Sequence, residues 1–180
     1  SMTGFGIGMA VEGFRPIHVH QRFDFILLCL NQLVNMASKS RYVSNNRYSC
    51  PLVIRAIVGR SWGQGIQHSQ SFHSFCSSIP GLTVLAPVTS HDMYNCIRWS
   101  TKYDNPTIIM EHRMLYNKKG IVSEDVNYKP GLRKLSSGQD FTLCSVSYSC
   151  IEAERAIKAL AEKGIRGDHF NIVNLTDIDM

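Results

Sequence analysis

The residues best placed to do chemistry cluster in Gly63-Gln64-Gly65-Ile66-Gln67-His68-Ser69-Gln70-Ser71-Phe72. An imidazole titrates near neutrality, so His68 is the candidate proton donor or acceptor. Upstream, Leu52-Val53-Ile54-Arg55-Ala56-Ile57-Val58 is almost continuously apolar and β-branched, as in a strand covered on both faces. Gly59, Gly63 and Gly65 follow, a pattern that permits positive φ and close approach of backbone to a ligand. Gln67 to Phe75 then reads as a short helix with Phe72 and Phe75 on its apolar side, which sets His68 in the first turn after a buried strand. Open α/β sheets hold their ligands at such places. The partial positive charge of a helix start would disfavour imidazolium and keep the ring neutral. An ordinary polar residue at a helix start fits the same residues, and the pattern alone leaves both readings open.

Other groups that could do chemistry read more plainly. His18-x-His20 would place two rings on one side of a strand, but no third metal ligand stands at a suitable spacing, so a half-buried strand edge is preferred. His73, five residues after His68, is poorly spaced for a shared helical face and reads as structural or pocket-lining. Cys29, Cys50, Cys76, Cys96, Cys144 and Cys150 are scattered, with no C-x-x-C pair, and read as reduced core thiols. The net charge of +5 is spread along the chain without a basic-aromatic platform, so no nucleic-acid partner is expected. Phe25 to Leu30 is the longest apolar run and is too short for a bilayer; no charged-then-apolar leader opens the chain. These features predict no membrane partner and a reducing compartment, cytoplasmic or, in a eukaryote, the mitochondrial matrix.

The elements that must position His68 follow from the periodicity. A chain of 180 residues holds one sizeable core, or one domain and part of a second. Helix-like and strand-like segments alternate, which predicts an α/β fold: a mainly parallel sheet with helices on both faces. Gly4 to Phe14 reads as a helix closed by Arg15-Pro16, Ile17 to His20 as a strand, and Phe23 to Ser38 as a helix with Leu27, Leu30, Val34 and Ala37 inward. Pro80-Gly81 turns into a strand at Leu82 to Ala86; Thr89 or Ser90 caps a helix carrying Met93, Ile97 and Thr101, and Asp104-Asn105-Pro106 stops it. Thr107 to Met110 is the next strand. Arg113 to Gln139 lacks periodicity, as a linker would. Phe141 to Val146, a helix from Cys150 with Ala153, Ala156, Ile157, Leu160 and Ala161 on one face, and Phe170 to Val173 read as a β-α-β unit. The division is therefore 1–117, a linker over 118–139, and the start of a second α/β domain over 140–180. The Ser1-Met2 opening and the Met180 end read as cuts in a longer chain.

Six segments in order carry a family resemblance. Gly4-Phe5-Gly6-Ile7-Gly8-Met9-Ala10, Arg15-Pro16-Ile17, Phe23-Asp24-Phe25, Gln67-His68-Ser69-Gln70, Pro80-Gly81-Leu82-Thr83-Val84 and Asp104-Asn105-Pro106 resemble the β subunit of thiamine-diphosphate-dependent 2-oxoacid dehydrogenases (E1). Ile109-Met110-Glu111 before Leu115-Tyr116 is similar to that subunit as well. The resemblance implies a thiamine-diphosphate-binding fold: residues 3–117 form its pyrimidine-binding domain, and 138–179 begin a transketolase-like C-terminal domain. It implies an α subunit that holds Mg²⁺ and the diphosphate in an α2β2 heterotetramer, a lipoyl-bearing E2 acyltransferase as acceptor, and a 2-oxoacid as substrate. Carried over by position, Phe25 is the face on which the pyrimidine stacks and His68 the active-site histidine. Plain core packing is the competing reading of Phe25. A monovalent-cation site, with potassium as the ion, maps to main-chain oxygens of Leu52, Ser100, Thr101, Tyr103 and Asn105.

The departures bear on activity. The family's glutamate at the aminopyrimidine falls about two residues ahead of Ser1, and Glu12, on the later part of the following helix, cannot replace it. Arg55-Ala56-Ile57-Val58-Gly59 lacks the usual glycine-proline pair, Leu28 stands where a polar residue is common, and Tyr103 stands where the family has an acid. A transketolase-type two-carbon transferase and a catalytically degenerate interaction subunit are the alternative functions.

Overall fold

In the computed structural model, which describes residues 1–60 and 63–178, two sheets are joined edge to edge. The expected second domain's last two residues lie outside the described ones. The first sheet is wholly parallel, in the order β1-β2-β4-β3, from β1 (Ile17–His20), β2 (Val53–Val58), β3 (Thr83–Leu85) and β4 (Thr107–His112). Its central strands are buried on both faces, so they are apolar runs rather than alternating ones. One face packs α1 (Met2–Val11) and the segments that lead to β2 and β3; its core includes Ile7, Phe23, Ile26, Leu33, Ile54, Ile108 and Met110. The order of strand addition turns back after β3, so that β4 lies between β2 and β3, and the crossover from β3 to β4 puts α4 (Ser90–Lys102) on the other face, against Val53, Leu85 and Ile109. Thr89 and Asp92 form the capping box that starts α4, as the Thr-x-x-Asp spacing requires.

The segment after β1 differs from the expected α-helix over 23–38. Phe23–Cys29 is a 3₁₀ helix and Gln32–Ala37 a π-helical turn, in which Ser38 N bonds to Leu33 O at 3.0 Å. At three residues per turn the inward set becomes Phe23, Ile26 and Cys29, while Leu27 turns outward and Phe25 is left 45% exposed. A four-residue helix α2 (Ser40–Val43) follows, and Asn45 and Asn46, both at positive φ, turn the chain toward β2.

The second sheet has the order β5-β7-β6, from β5 (Leu132–Ser136), β6 (Phe141–Ser145) and β7 (Gly167–Ile172). β6 pairs parallel to β7, and β5 antiparallel. The stretch read as a linker thus contributes a strand. Its antiparallel pairing rests on a half-exposed pattern too short to stand out in sequence. α5 (Ser149–Ala161) buries Cys150 and Ala153, whereas Ala156 and Ala161 of the expected inward face are exposed, because a three-stranded sheet covers only the first turns. Past β7 the chain runs along the free edge of β3, with Ala86 N bonded to Val173 O at 2.8 Å and Leu175 N to Val84 O at 2.9 Å. That edge is closed. All six cysteines are unpaired, five of them buried, and burial pushes the Cys76 and Cys96 thiols up to about 12.

Candidate functional site

Phe25 and His68 leave the carboxyl ends of the neighbouring strands β1 and β2 and meet beyond the sheet. Their ring centroids lie 5.4 Å apart at an interplanar angle of 53°. The helix expected over 67–75 is absent. Ile66–His68 is a single 3₁₀ turn, and a separate five-residue helix, α3 (His73–Ser77), follows. His68 therefore ends a turn rather than starting a helix, and the helix-dipole argument for its neutral form does not apply. The glycines behave as read, with Gly59, Gly63 and Gly65 all at positive φ. At Gly59 the requirement is also steric, because an added Cβ would lie 3.0 Å from the His112 ring.

Three consecutive residues just before Phe25 hold the His68 segment in place. The Arg22 guanidinium donates to Gln64 Oε1 at 3.3 Å, Phe23 stacks on Phe72 at 5.7 Å, and Asp24 Oδ1 accepts from Gln70 Nε2 at 2.7 Å and from Gln70 N at 3.4 Å. Neither Asp24 nor Gln70 was assigned this part by sequence. The signal, a carboxylate amid an apolar run, was available. His68 Nδ1 is buried and, among the described residues, has no hydrogen-bond partner. A half-exposed aromatic face beside an orphaned ring nitrogen fits a flat heteroaromatic ligand with polar edges.

The other sequence candidates lie elsewhere. His18 and His20 do face each other on the edge strand β1, 4.2 Å between centroids, and among the described residues no third ligand joins them. Burial and the neighbouring His18 pull His20 down to about 4. His73 bonds Ser71 Oγ through Nδ1 at 2.7 Å, and burial with His112 nearby pulls it down to about 4. Leu52, Ser100, Thr101, Tyr103 and Asn105 gather where α4 ends and β2 and β4 begin. The Leu52 carbonyl accepts from Thr107 N at 2.9 Å, and the Tyr103 carbonyl from Arg15 Nη1 at 3.1 Å. Ser100 Oγ is buried and, among the described residues, has no partner.

The α4 face carries a second polar feature. Arg55 and Glu111, lone charges in two buried strands, are diagonal neighbours on β2 and β4, joined by Nε–Oε1 at 2.5 Å and Nη2–Oε2 at 3.1 Å. Tyr116 donates to the same carboxylate at 2.8 Å. Hydrogen bonding to Glu111 raises the Arg55 pKa, while burial and then Glu111 raise that of Tyr116. These residues floor a cleft of about 420 Å³ walled by Met93, Ile97 and Leu115, across the sheet from Phe25 and His68.

With this geometry in hand, comparison with known proteins places the chain. It is 30% identical over 183 residues to the mitochondrial pyruvate dehydrogenase E1 component subunit beta-1 of Arabidopsis thaliana, covering 98% of this chain and 50% of that protein. It is 32% identical over 180 residues to the acetoin:2,6-dichlorophenolindophenol oxidoreductase subunit beta of Cupriavidus necator, covering 99% of this chain and 53% of that one. The chain spans about half the length of these relatives. A solved structure described as a split gene transketolase, inactive beta4 tetramer, superimposes with a TM-score of 0.78 at 17% identity, over 96% of this chain and 53% of that one, and shows the shared fold. Residues 1–119, which contain Phe25, Asp24, His68 and Gln70, match the transketolase pyrimidine-binding domain, and the chain belongs to that family.

Proposed function

We propose that this chain is the pyrimidine-binding part of the β subunit of a thiamine-diphosphate-dependent 2-oxoacid dehydrogenase, working in an α2β2 assembly and passing its acyl group to a lipoyl-bearing E2. The observation that carries the reading is the Phe25–His68 pair with the unpartnered His68 Nδ1. Phe25 offers its half-exposed ring to the pyrimidine, and the His68 imidazole is the group at which a proton is held or moved close to the reacting carbon. Thiamine diphosphate, when bound, supplies the electron sink that decarboxylation requires. The Mg²⁺ and diphosphate contacts belong to the α subunit. Residues 1–117 are the pyrimidine unit and 118–139 the connection, whose strand β5 joins the sheet of the next domain that 140–180 begins.

An obligate partner is supported by the surface beside the site. α1 is apolar all round, and Met2, Phe5 and Leu28 are 73, 67 and 84% exposed, as expected of a face that another subunit covers. The orphaned Ser100 Oγ supports a structural monovalent ion near Leu52, Thr101, Tyr103 and Asn105, although it would share the Tyr103 carbonyl with Arg15.

The test is made on the intact protein co-expressed with its α subunit. Thiamine diphosphate binding is measured by calorimetry, and turnover is screened with pyruvate, branched-chain 2-oxoacids and sugar phosphates. Cofactor-dependent 2-oxoacid decarboxylation is expected. Turnover of sugar phosphates alone would make it a two-carbon transferase, and absence of cofactor binding a degenerate interaction subunit.

A further inference from the structure

Asp24 is a buried carboxylate, 8% exposed, and its Oδ1 accepts two hydrogen bonds from Gln70, from the backbone N–H and from the side-chain amide. Its next neighbour in sequence is Phe25. Gln70 lies two residues beyond His68. One oxygen thus ties the turn that ends in His68 to the 3₁₀ segment that presents Phe25, and does so from inside the protein. The flanking ties have a different character: Arg22 to Gln64 is long and exposed, and Phe23 to Phe72 is a non-directional ring contact. Asp24 fixes both distance and direction from a buried position, because a carboxylate oxygen accepting two N–H groups defines where both must lie. The two peptide segments it joins contain no regular helix long enough to stiffen them otherwise.

We infer that Asp24 is a positioning residue, which sets the separation and tilt of Phe25 and His68 through Gln70 and prepares the pair for the flat ligand before it arrives. The inference rests on the functional reading of Phe25 and His68, but its geometric content can be measured without cofactor. Ground already held in place spares the ordering cost of binding, and a misplacement of about 1 Å at a reacting group can cost roughly a hundredfold in rate.

The experiment uses the intact protein with its phenylalanine and histidine rings selectively labelled, and reads the nuclear Overhauser contact between Phe25 and His68 together with exchange protection of the Gln70 amide. In the cofactor-free wild type both are expected. Asp24→Ala should lose both, whereas Asp24→Asn, which keeps an acceptor oxygen of the same reach, should retain them. Gln70→Met removes the side-chain tie from the exposed side, so it keeps the test available if Asp24→Ala does not fold, and should weaken the ring contact. With the α subunit present, turnover should fall about a hundredfold in Asp24→Ala and recover in Asp24→Asn. An unchanged ring contact in Asp24→Ala or Gln70→Met, or an Asn variant as impaired as the Ala one, would overturn the inference. Ring contacts that respond as described in a protein that binds no thiamine diphosphate would leave Asp24 its positioning role and remove the cofactor reading instead.

Discussion

The Phe25 and His68 rings stand 5.4 Å apart, inclined by 53°, at the carboxyl ends of two adjacent parallel strands. In the proposed function one ring offers a face for binding and the other a nitrogen for chemistry, so the two contributions can be measured apart. Phe25→Ala should weaken thiamine diphosphate binding about tenfold, the loss of one aromatic stacking contact. His68→Ala should leave the dissociation constant nearly unchanged and lower turnover by about 10²–10⁴-fold. Calorimetric titration and steady-state kinetics on the assembled protein distinguish the two. Unchanged turnover in the alanine variant would reduce His68 to a structural residue.

Arg55 and Glu111 form a bidentate pair in which Glu111 is 7% exposed and Arg55 about a third exposed. Arg55→Met leaves the carboxylate with only Tyr116 and should cost about 2–3 kcal/mol, below the full value for a buried pair because of Arg55's exposure. Arg55→Met combined with Glu111→Leu should recover most of that loss. Urea denaturation of the two variants measures the difference, and equal destabilisation would contradict it.

His20 and His73 are each pulled from 6.5 to about 4 in the folded protein. The unfolded chain then binds more protons than the folded one between these values. Their contribution is complete above pH 6.5 and is lost as pH falls toward 4. The urea midpoint should therefore drop between pH 7 and pH 5, and a double variant with His20→Gln and His73→Gln should show a smaller drop.

Gly81 has φ +86°, and a Cβ there would lie 2.0 Å from the Ser38 carbonyl oxygen. Relief requires movement of backbone rather than of a side-chain tip. Gly81→Ala should destabilise by about 3 kcal/mol or more, through strain and the clash together. A thermal melt within a degree or two of wild type would show that the Ser38 turn yields freely.

Much of the scaffold was readable because its signals are local. The strands at β1 to β4 announce themselves as short β-branched runs, the Thr89–Asp92 box marks the start of α4, and Asp104-Asn105-Pro106 marks its end. His68 stands out in its own segment, whereas Phe25 comes only from the family resemblance; the structure sets their rings 5.4 Å apart. The segments that carry them differ in detail from the helices their spacing predicts. The apolar spacing of Phe23–Ser38 predicts a 3.6-residue period where tertiary packing selects a period of three and then a π turn, and that of 67–75 predicts a helix where no continuous one forms.

The sequence by itself determined that buried parallel strands alternate with helices, that a glycine-rich loop follows β2, and that an imidazole lies just beyond it. These are properties of single segments, set by side-chain branching, backbone freedom and polarity. Only the tertiary structure decided which residues hold that imidazole. The Asp24–Gln70 tie, the Arg55–Glu111 pair and the closing of the β3 edge by residues 173–176 all join segments distant in the chain. Hydrogen bonds of this kind depend on distances and directions that exist only after the sheet has aligned its strands, and no periodicity encodes them.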